Sequence, residues 1–139
     1  MKHERRETVA KHSFFFGISL IGSFVSSVFG GLDILVVILV CFVVIDYITG
    51  IVAGALEGKL SSEIGFRGIV RKLLIFVLVA VAHLIDLALG QNNHFIRDAT
   101  TFFYMANEVI SIVENVGRTG LPIPGFLIKA IELLKDRAK

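Results

Sequence analysis

The sequence predicts an all-α membrane protein: about four transmembrane helices followed by a short C-terminal amphipathic helix, with both termini in the cytoplasm (N-in/C-in). Three observations lead there. Of 139 residues, 55% are hydrophobic and 19% charged, with a mean hydropathy of +0.79, more apolar and less charged than ordinary soluble domains. The charges are segregated. Residues 32–56 hold only Asp33 and Asp46, and residues 73–90 only His83 and Asp86, whereas roughly 18 to 20 apolar residues suffice to cross the hydrocarbon core. The basic residues, finally, gather at alternate connections. With spans drawn at about 14–30, 34–56, 69–89 and 95–116, Lys2, Arg5, Arg6 and Lys11 precede the first. Lys59, Arg67, Arg71 and Lys72 lie between, or just inside, the second and third, and Arg118, Lys129, Lys135, Arg137 and Lys139 follow the fourth. Arg97 alone lies on the other side, so thirteen of the fourteen Lys/Arg are cytoplasmic if the termini are, as retention of positive charge requires. Residues 1–13 are then a basic cytoplasmic N-terminus, 14–116 the membrane domain, 117–139 a cytoplasmic amphipathic segment, and Asn92–Asn93 face the far side.

The first segment, about 17 residues, is at the lower bound for a span. A basic stretch followed by "FFFGISLIGSFV" also fits a signal-peptide core, but the chain stays apolar after Gly31 instead of opening into a polar domain, which favours a retained helix. Ser19, Ser23 and Ser27 recur every four residues here. In the second span Asp46, Gly50, Gly54 and Gly58 repeat that interval within "DYITGIVAGALEG". Residues at i and i+4 share a helix face, so these rows predict seams where backbones approach closely, within or between subunits.

Asp46 lies about halfway along its span, where a carboxylate must face protein or water, or be protonated. His83 and Asp86, at i and i+3, sit one above the other and are expected to satisfy each other, or Asp46, in a helix interface. A proton relay is the sharper alternative.

The fourth segment, "TTFFYMANEVISIVENVG", is amphipathic along its whole length. At about 100° per residue, Ala99, Phe102, Phe103, Ala106, Val109, Ile110, Val113 and Val116 share one arc, and Asn107, Glu108, Ser111, Glu114 and Asn115 fall on the other. The polar arc is expected to line an aqueous space or face another subunit. A helix lying flat at the interface is the competing reading. Pro122 and Pro124 then break the chain, and "GFLIKAIELLKDRAK" resumes a short amphipathic helix suited to the cytoplasmic surface or a neighbour.

The single Cys41 forms no intramolecular disulfide, and no Cys/His cluster has metal-ligand spacing. No nucleophile–base arrangement or Gly-rich phosphate loop occurs. The reading therefore assigns no catalytic residue, metal, cofactor or nucleic-acid partner, and expects no enzyme.

"DYITGIVAG", "EGKLSSEIGFRGIVRKLL", "AHLIDL" and "FFYMANEVISIVENVGRTGLPIPGFL" resemble the phage holin family of the toxin-secretion and phage-lysis type, over residues 46–135 and in one order. That resemblance implies a homo-oligomer in the lipid of the host bacterial cytoplasmic membrane. It opens holes that release an endolysin as cargo, or export a toxin, and an antiholin is a candidate partner. Because the next Met after Met1 is Met105, no short inhibitory form arises from a nearby internal Met. Two alternatives carry different signatures: a small-ion or proton channel using Asp46, His83, Asp86 and Glu108, and an antiholin regulator that makes no hole.

Overall fold

The computed structural model describes residues 2–90 and 93–137; Asn92 therefore lies outside the described residues. All regular structure among them is helical: α1 (Lys2–Phe29), α2 (Ile34–Leu56), α3 (Ser62–Ala88), α4 (Phe95–Arg118) and α5 (Gly125–Arg137). Two of these, α2 and α3, are long and apolar enough to cross a membrane.

Local chemistry sets the helix ends. Past α1, Gly30 and Gly31 take positive φ (72° and 107°), and the Gly31 N–H returns to the Ser26 carbonyl at 2.7 Å, the closing bond of a Schellman cap. No side chain fits at Gly30, since a Cβ there would stand 2.5 Å from the His83 ring. Asp33 then opens α2 by accepting the Val36 N–H at 3.1 Å. The same device ends α2: Gly58 has φ 67°, and the Lys59 N–H reaches the Gly54 carbonyl at 2.9 Å. Ser61 caps α3 through the Ile64 N–H. α3 consequently starts seven residues before the apolar run at 69, its first turns held by the i,i+4 pair Glu63–Arg67. α1 likewise extends back to Lys2, taking in the basic stretch. After α4, Gly120 (φ 85°) turns the chain and the Pro124 carbonyl accepts the Leu127 N–H at 2.9 Å, starting α5, whose Ile131 is buried.

α4 is the central helix, packed against both α2 and α3. The contact stripes alternate steps of three and four: Val36, Leu39, Val43, Asp46, Gly50 and Ala53 on α2; Lys72, Ile75, Val79, Ala82 and Asp86 on α3; Arg97, Thr101, Tyr104, Glu108, Ser111 and Asn115 on α4. A mean step of 3.5 keeps a stripe facing its partner along the whole helix. Within the subunit, the glycine row runs off this stripe. A strict i+4 row drifts by about 40° per step, so Gly50 faces Asn115 while Gly54 meets only Leu60, and Gly58 lies beyond the helix end with nothing near it. The position that continues the seam is Ala53, 0% exposed.

α1 meets the bundle through its C-terminal turn, where Phe29 packs edge-on against Phe76 at 6.3 Å. Ser19, Ser23 and Ser27 are exposed, the Ser19 hydroxyl donating to the Phe15 carbonyl of its own helix. The apolar core is one layer of Leu39, Val43, Ile75 and Val79, flanked by Phe29, Phe76, Tyr104 and Met105. Around it the usual arrangement is inverted. On α4, Arg97, Thr101, Glu108 and Asn115 are buried, whereas Phe102 and Phe103 are 58% and 51% exposed. Water would favour the opposite facing; lipid favours this one.

Candidate functional site

Two polar layers sandwich the apolar core. The first joins three helices at one level. Asp46 is ten residues before the end of α2, Lys72 ten after the start of α3, and Glu108 ten before the end of α4, so each lies about 15 Å from the same end of the bundle. The Lys72 ammonium sits 2.6 Å from Asp46 Oδ2 and 2.5 Å from Glu108 Oε2. Asn115 donates to Asp46 Oδ1 at 2.9 Å and accepts from Arg118 Nη1 at 3.2 Å. Arg118 in turn clamps Glu57 with two bonds of 2.8 and 3.0 Å, and Lys59 adds a second cation to Glu57 at 3.2 Å. Counted with the rim, three carboxylates (Asp46, Glu57, Glu108) face three cations (Lys59, Lys72, Arg118), of which Asp46, Lys72 and Glu108 lie in the interior while Lys59 and Arg118 stay exposed. At the rim, the hydrogen bonds from Arg118 and then Lys59 hold the Glu57 carboxyl down to about 2. Depressed in the folded state, it supports the fold above its ordinary range and loses that support only as pH falls toward 2.

The second layer closes the opposite end. His94, the residue before α4, has φ 51° and makes no side-chain cap. Asp86 of α3 supplies the cap instead, accepting the Ile96 and Arg97 N–H groups at 3.0 and 2.9 Å, an anion at a helix N-terminus. Arg97, 2% exposed, donates to the Phe29 and Gly30 carbonyls at 3.0 and 3.2 Å. Its other amine pairs with Asp33 at 2.5 Å and Asp98 at 2.7 Å. One guanidinium thus ties the end of α1 and the start of α2 to α4. Burial pushes the Asp33 carboxyl up, but the Val36 N–H and Arg97 outweigh it and hold it below the usual range. His83 stacks on His94 with ring centroids 5.3 Å apart, and neither Nδ1 has a partner.

These positions revise the expected polar contacts. His83 and Asp86 belong to the far layer, separated from Asp46 by the Leu39–Val79 core, and Asp86 is engaged by α4 backbone rather than by His83. The five-residue polar arc of α4 also divides. Glu108 and Asn115 are buried, Ser111 is half-buried on the same stripe, Asn107 is half-buried beside it, and Glu114 is exposed. An arc drawn at 100° per residue covers half the helix, whereas a packing stripe covers far less.

Two central residues, Lys72 and Arg97, are not among the site residues the sequence predicts. The charge pattern groups Lys72 with the cytoplasmic cations flanking the third span, yet it lies within the bundle. The signal was its register, three before Ile75 and seven before Val79 on the buried stripe, which the exposed Arg71 lacks. In the sequence Arg97 is marked only as the exception to the charge rule; four before Thr101, it heads the stripe of α4.

Comparison with known proteins covers the same helices. The sequence pattern of the bacteriophage holin family matches residues 23–136, taking in both polar layers. An uncharacterized protein of Listeria monocytogenes, Lmo0128, is 52% identical over 112 residues, 81% of this chain and 79% of its own length. An uncharacterized protein of Halalkalibacterium halodurans, BH0965, is 46% identical over 126 residues, 87% and 93% of the two chains. An uncharacterized 14.9 kDa protein of Clostridium perfringens is 38% identical over 121 residues, 87% and 92%. No solved structure matches. With its apolar side chains turned outward, two helices suited to crossing a membrane and a family match from end to end of the α2–α4 bundle, the chain belongs to the bacteriophage holin family.

Proposed function

We propose that the protein is a lytic holin: a four-span, N-in/C-in subunit that accumulates in the host cytoplasmic membrane, homo-oligomerises and opens holes releasing an endolysin. The observation that carries this reading is the polar stripe of α4, paired inside one subunit through Lys72, which bridges Asp46 and Glu108. Taking the apolar run of α3 from residue 69 as the start of the hydrocarbon core, the triad lies inside its near half, where unpaired charge is costly. Internal pairing lets subunits accumulate without leaking. The stripe, running about five turns from Arg97 to Asn115, is already the length of a pore lining once α4 parts from α2. Sheltered and open forms are then two ways of satisfying the same groups, and the number of gathered subunits selects between them.

The remaining surfaces fit this role. The exposed serine face of α1, with Ser19, Ser23 and Ser27, serves contacts between subunits, and α5 rests on the inner surface with Lys129 toward anionic headgroups. The test is expression in bacteria holding a cytoplasmic reporter enzyme. Release of the enzyme is expected; depolarisation without release would mark a small-ion channel, and neither would mark an antiholin. In the same cells a cysteine at Asn93 should label from outside and one at Lys129 should not. The reverse pattern defeats the topology.

A further inference from the structure

The bundle is not closed between α2 and α3. These two helices touch each other less than either touches α4, and a cavity of about 340 Å³ opens between them on the side of the triad nearer their connecting turn. It exists because the facing positions are glycines: Gly50 and Gly54 on α2, Gly65 and Gly68 on α3. Lys59 and Arg118 stand at the mouth, Ser111 and Asn115 on one wall, Asp46 and Lys72 at the floor. The floor residues keep side-chain exposures of 10% and 14%, although they lie about 15 Å inside the bundle. Beyond them come Val43 and Ile75, and then Leu39 and Val79, both 0% exposed.

We propose that this cleft is a water-filled vestibule that brings water and small hydrated ions from the cytoplasm to Asp46 and Lys72, where the Leu39–Val79 layer stops them. The inference rests on the sidedness given above, which places the α2–α3 turn in the cytoplasm. Charges at membrane depth face the bundle or a water-filled cavity, and these do both. At about 30 Å³ per molecule the space has room for on the order of ten waters; their polar partners are Asp46, Lys72, Ser111 and Asn115 inside and Lys59 and Arg118 at the mouth, on a wall otherwise formed by glycines and apolar side chains such as Ile51, Leu60 and Ile64. The apolar layer beyond is a constriction of the kind that excludes ions by dewetting. Each subunit therefore contains half of a small-ion path, separate from the large hole that several subunits make. The triad is in contact with the cytoplasmic solution before any hole opens.

The test uses full-length protein with Cys41→Ala, in inside-out and right-side-out membrane vesicles, and a charged membrane-impermeant thiol reagent. Gly54→Cys and Ser111→Cys should react at the cytoplasmic face at least tenfold faster than at the outer face, and Val79→Cys at neither. Reaction only from outside overturns the vestibule together with the proposed sidedness. No reaction from either face until detergent is added means that an acyl chain or a second copy fills the cleft, and overturns the vestibule alone. Val79→Asn, which wets the constriction, should raise potassium flux at least tenfold without releasing the reporter enzyme. Unchanged flux in vesicles where Ser111→Cys still labels would remove Leu39–Val79 as the closure.

Discussion

Lys72→Met brings reporter release forward. The substitution takes away the ammonium that stands 2.6 Å from Asp46 and 2.5 Å from Glu108, leaving two carboxylates confronted in the interior. Removing one partner of a buried ion pair costs about 3–5 kcal/mol, and each 1.4 kcal/mol is a factor of ten. The equilibrium between sheltered and open forms therefore shifts by about two to three and a half powers of ten toward whichever form gives water to Glu108, which is buried and does not line the α2–α3 cleft. At matched membrane abundance, timed release should begin well before that of the unaltered protein. Lys72→Arg, which keeps the charge, should be mild by comparison. A delay with Lys72→Met would mean that the triad does not hold the subunit shut.

Glu108→Leu should act in the opposite direction. It leaves Lys72 and Asp46 as a one-to-one pair, with Asn115 still donating to Asp46, and replaces a buried carboxylate by apolar surface. Exchanging buried charge for well-packed hydrophobic side chains is often neutral or stabilising, so the sheltered form gains while the pore loses a charged lining group. Inserted, abundant protein that fails to release the reporter is the expected outcome, with Glu108→Gln intermediate. Glu114→Leu should leave the timing close to normal, because Glu114 is exposed beside the stripe. Equal effects at 108 and 114 would restore the broad polar arc and discard the narrow stripe.

These two substitutions also show how far the sequence could be read. The apolar run of α2 is bracketed by the Asp33 cap and the Gly58 turn, and both bounds are visible as residue types. The first turns of α3 are not, because Glu63 and Arg67 look like a loop to hydropathy although they pair four apart on a helix. Within α4, sequence alone separates polar from apolar faces. It does not say that Glu108 meets Lys72 from thirty-six residues away, since that contact depends on two helix connections placing the three charged positions at one level. Lys72 was obscured by a rule that is usually sound, that a cation near the start of a span marks the membrane surface. The capping of α4 by Asp86 was beyond reach for a different reason. It follows from the left-handed backbone of His94, which turns the chain so that another helix must satisfy the first N–H groups.

The central claim is that the polar stripe of α4 must leave α2 for the hole to form, and a reversible lock between the two helices tests it most directly. Gly50 faces Asn115, with a Cβ at Gly50 falling 3.4 Å from the Asn115 amide nitrogen, so Gly50→Cys with Asn115→Cys in a Cys41→Ala background places two thiols across that interface. Cells carrying the pair are treated with a membrane-permeant oxidant at full holin abundance, and reporter enzyme in the medium is followed before and after reduction. The account predicts that the oxidised, cross-linked protein retains the reporter and that adding reductant releases it at once, as in unoxidised cells. Release on the normal schedule while α2 and α4 remain cross-linked would contradict it.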